Sequence, residues 1–296
     1  MPALALLVLA TLFWAGNYVV GERVVSTVDP LSLTWWRWVL SVVPLLVLAQ
    51  VVERPDWSAV ARRWRVLLLM GLIGVAGYPL LLYAALVHTT AASASIINAI
   101  NPVVIVVAAV LLGQATATWR TWMGLALALV GVLLVITQGE LAHLLALRLN
   151  TGDLLMILAV LAWTAYTLIG RRVGIPPLTS TAVQVLLTVL VLTPFTLASG
   201  VDVPQDPPSW VGVVYIVLGP SIGSYVCWNL AVPKVSATVS GVSMNLVAVF
   251  TLAIAAVMGQ WPTTLQLVGA ALVMGGTLLT LRGRGGRGPS LRSRAV

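Results

Sequence analysis

Residues Leu4–Val24 read LALLVLATLFWAGNYVVGERV, and residues Asp153–Val173 read DLLMILAVLAWTAYTLIGRRV. Displaced by 149 residues, eight of 21 positions are identical: Leu6, Leu9, Ala10, Leu12, Trp14, Gly21, Arg23 and Val24. Leu and Ala recur by chance in any two apolar helices. A Trp, a Gly seven residues later and an Arg two after that, all in register, are a far rarer coincidence. The pair reads as an internal repeat, and a repeat decides the architecture before any single element does.

The composition places the repeat in a membrane. Of the 296 residues 60% are apolar and 8% are charged, with a mean hydropathy of +1.04. A soluble domain carries about 25% charged residues. The single cysteine, Cys227, rules out an internal disulfide. The net charge of +8 does not point to nucleic acid, because five Arg lie in the last 15 residues and most others fall between apolar runs. The first apolar run is long enough to span and lacks a basic leader, so it reads as a membrane helix and not a signal peptide.

A span needs about 20 apolar residues. Ten candidates follow: 3–20, 31–52, 64–87, 90–112, 119–137, 152–170, 179–199, 209–230, 236–258 and 264–281. The expected fold is an all-α membrane protein of ten transmembrane helices. Residues 1–140 form a first five-helix repeat, 150–282 a second, and 283–296 a basic, disordered cytoplasmic tail. With the N-terminus in the cytoplasm, thirteen Lys and Arg fall inside and two, Arg23 and Arg148, outside. That asymmetry places both termini inside, in the plasma (inner) membrane of a bacterium. Five helices per repeat is an odd number, so the second repeat must enter from the opposite face, as in many transporters.

The remaining helices repeat more faintly. Ala84–Gln114 aligns with Leu230–Gln260 at a displacement of 146, with six of 31 positions identical. Small residues match there, Ala91 and Ser95 with Ala237 and Gly241. Gly124 and Gly131 likewise match Gly269 and Gly276. Such faces let membrane helices approach closely. Pro102 has no counterpart, since Ala248 stands at its place.

Polar residues inside the spans are the candidates for function. Arg37, in LTWWRWVL, is the one charge well inside a span, and intramembrane charge is a functional signal. It either snorkels among Trp35, Trp36 and Trp38, braces a neighbouring helix, or receives a substrate carboxylate. Trp14 and Trp163 lie about 10 Å deep at 1.5 Å per residue, too deep for an interfacial belt. They are either packing residues or walls of a central cavity. Asn17 and Tyr166 each follow one of these Trp by three residues, on the same helical face. Asn98 and Asn101 share a face of the fourth helix, and Asn245 sits in the ninth. Tyr78 with Pro79 interrupts the third helix, while Gly219, Pro220 and Tyr225 lie in the eighth. Each of these is either an interhelical bond or part of a cavity wall. Asp153 reads as a helix N-cap. His88 reads as a solvated residue at the outer end of the third helix, or as the sole proton-coupling candidate.

The chain resembles the EamA-type members of the drug/metabolite transporter superfamily. The resemblance rests on the Trp-bearing first and sixth helices, on Arg37 in the second, and on the run from Ala91 through Pro102 to Gly113, Gly124 and Gly131. Within that group it looks most like the aromatic amino-acid exporters of the YddG type. The resemblance implies a secondary carrier, not an enzyme, that exports small neutral or zwitterionic metabolites, aromatic amino acids among them. A drug or organic-cation carrier is the alternative, and an intramembrane enzyme or receptor the rival from another class. The expected partners are a small-molecule substrate and the lipid bilayer, with no nucleic acid. No cofactor or metal is expected, and a monomer is the simplest assembly.

Overall fold

The computed structural model describes residues 2–113, 118–136, 150–170, 173–235 and 237–282. The described residues are helical, with no strand among them. We number the helices α1 (Ala3–Val24), α2 (Pro30–Val52), α3 (Trp64–Leu86), α4 (Ala91–Leu111), α5 (Trp119–Ile136), α6 (Thr151–Gly170), α7 (Pro177–Ser199), α8 (Pro207–Ala231), α9 (Ala237–Val257) and α10 (Thr264–Arg282). A short helix, Trp57–Arg62, joins α2 to α3. Seven helices, α1 to α4 and α6 to α8, are long and apolar enough to cross a membrane. Three shorter apolar stretches run Trp119–Val135, Ser243–Val257 and Thr264–Thr280. The expected link between the halves and the expected basic tail lie outside the described residues, as do Arg148, Arg171 and Arg172.

The helix ends follow local chemistry. Asp29 caps α2, accepting from the N–H groups of Leu31 at 2.9 Å and Ser32 at 3.0 Å, with Pro30 at the first helical position. Thr90 and Asp206 do the same for α4 and α8. Gly113 and Gly259, matched in the sequence repeat, close α4 and α9 at φ +66° and +88°, where a Cβ would be strained.

Two helices are broken in a related way. In α3, residues Gly71–Gly77 form a π-helical segment; in α8, Val217–Gly223 do so. Each contains or precedes a proline, which has no N–H to give to the carbonyl four residues back. Pro79 thus leaves the Val75 carbonyl free, and the Trp38 indole donates to it at 2.7 Å. Pro220 leaves Ile216 free, and the Ser221 hydroxyl donates to it at 2.7 Å. Without water in the bilayer core, side chains must satisfy such groups. The fourth helix is interrupted at Ala99–Ile100, ahead of Pro102, while α9 is continuous through Ala248.

Packing is by small residues and paired helices. The helix α1 lies on α8 and α9, α6 lies on α3 and α4, α2 on α7, α4 on α9, and α5 on α10. Gly131 of α5 meets the backbone of Gly269 in α10, where a Cβ would come within 2.7 Å of its carbonyl oxygen. Gly124 meets Gly276 in the same way. Outward, α2 presents Val43, Val47 and Val51 at four-residue spacing, each at least 55% exposed, a surface that suits lipid.

Candidate functional site

A cavity of about 490 Å³ runs from the α6–α7 connection, at Gly170, Val173 and Pro177, to the middle of the bundle. There it meets a smaller cavity of about 40 Å³. Trp14, Trp163, Tyr225 and Met244 line both. The volume is that of an ordinary small-molecule site.

The walls of the larger cavity are aromatic. Trp14 lies 5.3 Å from Trp228 and 5.8 Å, edge-on, from Tyr225, ring centre to ring centre. Trp163 lies 5.2 Å from Tyr166 and 5.1 Å from Tyr78. The Trp14 indole is oriented by donation to the Pro220 carbonyl, at 3.2 Å, inside the π segment of α8. Tyr166 seats its ring on Gly74 in the π segment of α3, where any side chain would collide with it. Both irregular segments therefore set the walls.

Arg37 borders the smaller cavity and is 4% exposed. Its Nη1 donates to the Tyr83 hydroxyl at 2.9 Å and to Asn17 Oδ1 at 3.4 Å, and Tyr83 in turn donates to Asn17 Oδ1 at 2.9 Å. Its guanidinium carbon lies 4.6 Å from the Trp38 ring centre. Its Nε finds no partner. Among the described residues no carboxylate pairs with it. Burial excludes the snorkelling expectation, and Nη1 bonds to side chains of α1 and α3. A buried cation with no counter-ion is costly unless an anion arrives.

Beyond the cavities a polar layer closes the bundle. Tyr18 and Tyr78 hydroxyls are 3.0 Å apart, Tyr78 donates to Asn98 at 3.2 Å, Asn101 donates to Asn98 at 2.9 Å, and Thr164 donates to Asn101 at 3.4 Å. It joins α1, α3, α4 and α6. On its far side lies another cavity, about 770 Å³, bordered by Glu22, His88 and Asp153. Asp153 and Gly170 sit at opposite ends of α6, about 25 Å apart by helical rise.

The structure brings nine of the ten candidate residues to the two joined cavities: Trp14, Asn17, Arg37, Tyr78, Asn98, Asn101, Trp163, Tyr166 and Tyr225. Asn245 is not among them. It is 2% exposed, borders neither cavity, and has both amide atoms without a partner. The N-cap reading of Asp153 is corrected. Asn150 fills that role, accepting from Gly152 N–H at 2.8 Å, while Asp153 is 6% exposed and accepts from the Thr89 hydroxyl at 2.8 Å. Sequence reasoning missed Tyr18, Tyr83, Trp228 and Asn229. Trp228 follows Tyr225 by three residues, the spacing that singled out Asn17 and Tyr166. Asn229 borders the larger cavity with its Nδ2 unpartnered.

Known proteins are similar to this chain in sequence and in fold. The Bacillus subtilis transporter YyaM is 26% identical over 274 residues, covering 90% of each chain. A probable terminal-alkyne amino-acid exporter of Streptantibioticus cattleyicolor is 30% identical over 243 residues, covering 80% of this chain and 78% of that one. A solved crystal structure, 19% identical, superimposes with a TM-score of 0.69 over 94% of this chain and 96% of its own, a likeness of fold. The profile of the EamA-like transporter family matches residues 1–137 and again 150–282. A multi-pass helical membrane protein with a central cavity, matched over nearly its whole length by that profile, belongs to the EamA-like transporter family.

Proposed function

We propose that this transporter is a secondary carrier that exports small zwitterionic metabolites, aromatic amino acids foremost, by alternating access. The observation that carries the substrate class is Arg37: a buried guanidinium with no carboxylate partner among the described residues, next to an aromatic-walled cavity. A carboxylate meeting Arg37 supplies the missing anion through charge-assisted bonds. The substrate's apolar body then lies against Trp14, Trp163 and Trp228. The likeness to a probable amino-acid exporter supports both the class and the outward direction.

The architecture we propose is ten crossing helices in two inverted halves, 1–140 and 150–282, with both termini cytoplasmic. Exchanging each helix for the one five places on carries α1–α8 onto α6–α3 and α1–α9 onto α6–α4, and returns α2–α7, α4–α9 and α5–α10 to themselves. The π segments at Gly71–Gly77 and Val217–Gly223 fall at corresponding places. The Gly124–Gly276 contact maps onto Gly269–Gly131. The family profile matches once per half. These support the reading, and the Lys/Arg distribution supports the orientation. Alternating access is supported by a cavity that reaches one end of the bundle while the Tyr18–Tyr78–Asn98 layer closes the other side.

The test is flux in proteoliposomes with radiolabelled phenylalanine, alanine and phenethylamine, which lacks the carboxylate. Phenylalanine is expected to move and phenethylamine not. Equal or faster movement of the amine would overturn the carboxylate reading. It would favour an organic-cation carrier, which the aromatic walls alone would suit.

A further inference from the structure

The helices α2 and α7 lie antiparallel, and each is gripped by the carboxylate that follows the other. Glu53, the first residue after α2, accepts from Leu178 N–H at 2.9 Å and from the N–H and hydroxyl of Thr179 at 2.6 Å each. These are the N-terminal donors of α7, a helix whose own N-cap, Pro176, offers no side chain to them. Asp202, just after α7, accepts from Asp29 N–H at 2.9 Å at the start of α2. Its own N–H donates to the Ser32 hydroxyl at 2.9 Å, and its carbonyl accepts from the Trp36 indole at 3.1 Å. Each carboxylate sits at the positive end of a helix dipole. The two grips hold opposite ends of one helix pair, about 35 Å apart for the 23 residues of α2.

Both grips are closed in the same structure, and that decides their role. The larger cavity reaches the end of the bundle where Glu53 sits, and Pro177 forms part of its rim. That end is thus open to the cavity while the Glu53 grip remains intact beside it. Opening there does not require the grip to break. The Asp202 grip is closed at the other end, which neither of the two joined cavities reaches. A pair of alternating latches would instead have one closed and one broken.

We infer that Glu53 and Asp202 are positioning residues for transport: they join α2 and α7 head to tail into one unit that stays closed at both ends while the cavity changes sides. The inference rests on the transport reading above. Its consequence is local. Arg37 on α2 and Ser180 and Thr181 on α7, which border the cavities, keep a fixed register throughout the cycle.

The test locks each grip in a Cys227→Ser background. Ser32→Cys with Asp202→Cys is joined as a disulfide, and Glu53→Cys with Thr179→Cys by a short bis-methanethiosulfonate. Proteoliposome flux of phenylalanine is compared before and after reduction. Flux retained in the crosslinked protein, at or above the rate found after reduction, is expected. Flux lost on crosslinking and regained on reduction would overturn the inference. Glu53→Ala, left uncrosslinked, is expected to raise KM roughly tenfold through misplacement of the cavity wall, with part of the loss restored in Glu53→Asp. A lower yield of folded protein at unchanged KM would assign Glu53 to stability alone and overturn the positioning role. A parent protein that moves no substrate would refute the transport reading instead. The clamp is then read without substrate, from labelling of an Ile105→Cys probe, at a residue that lines the larger cavity, by impermeant thiol reagents on each face. The same labelling from each face with and without the crosslink supports it, and labelling changed by the crosslink overturns it.

Discussion

The Trp38 indole donates, at 2.7 Å, to the Val75 carbonyl, the group that Pro79 leaves without its helical N–H. One residue of α2 thus repairs a defect that another makes in α3. Trp38→Phe is expected to strand that carbonyl in a water-poor interior and cost about 1–3 kcal/mol. Adding Pro79→Ala, which restores the helical donor, should recover much of the loss. Melting curves of the single and double variants in detergent check this. Additive losses would show the two residues to be uncoupled.

Arg37→Lys and Arg37→Gln are expected to leave the amount of folded protein close to normal, because each removes or alters a buried charge with no ionic partner. Lys lacks the planar fork that grips a carboxylate at two points. Loss of a charged hydrogen bond of about 1.5–3 kcal/mol should raise KM for phenylalanine by roughly ten- to a hundredfold. Normal transport in Arg37→Gln would leave Arg37 as a brace for Tyr83 and Asn17.

Trp163→Ala is expected to impair aromatic substrates more than aliphatic ones. A Trp face contributes about 0.5–2 kcal/mol to a ring or ammonium contact, so the selective loss should reach up to about 30-fold. The comparison is phenylalanine against alanine flux at equal protein level. Equal losses with a lower melting temperature would make Trp163 a packing residue.

A pH gradient alone is expected to drive no accumulation. Glu22, His88 and Asp153 border the far cavity, and none of them lines the two cavities that meet at Trp14 and Trp163. Proteoliposomes given a pH jump without a substrate gradient would show this by flat uptake. Uphill uptake abolished by Asp153→Asn would make that carboxylate the coupling group.

A reporter fused to the C-terminus and active only in the cytoplasm is expected to be active in a bacterial host. A periplasmic signal from the same fusion would remove the inverted arrangement.

The membrane makes polar residues conspicuous, and that is why Arg37, the Asn residues and the deep Trp stood out in an apolar sequence. Their partners did not. Trp14 bonds to a carbonyl 206 residues away, and no local spacing states which face of α8 meets α1. Asn245 carries the same signal as Asn98 yet turns from the cavity, since helical position alone does not fix the direction of a face relative to unplaced neighbours. The π segments were foreshadowed by Gly and Pro in α3 and α8, but the repair by Trp38 was not. Glu53 and Asp202 read as ordinary loop carboxylates, because their work is done on another half's helix end. The break in α4 could be suspected from Pro102 and its absence in α9, yet the bend depends on how α4 sits among α1, α6 and α9.

The lone charge of Arg37 also bears on what the protein does when idle. A carrier that reorients empty is a standing risk to the ion gradients of the cell that holds it. A fixed guanidinium beside the smaller cavity opposes any small cation in transit. At 4 Å and an effective dielectric of 20, the repulsion is about 4 kcal/mol, roughly a thousandfold lower occupancy. On the proposed reading, protons, sodium and potassium are turned back at the point where the substrate's carboxylate is received. The residue proposed to receive the carboxylate would then also keep the membrane insulated between turnovers.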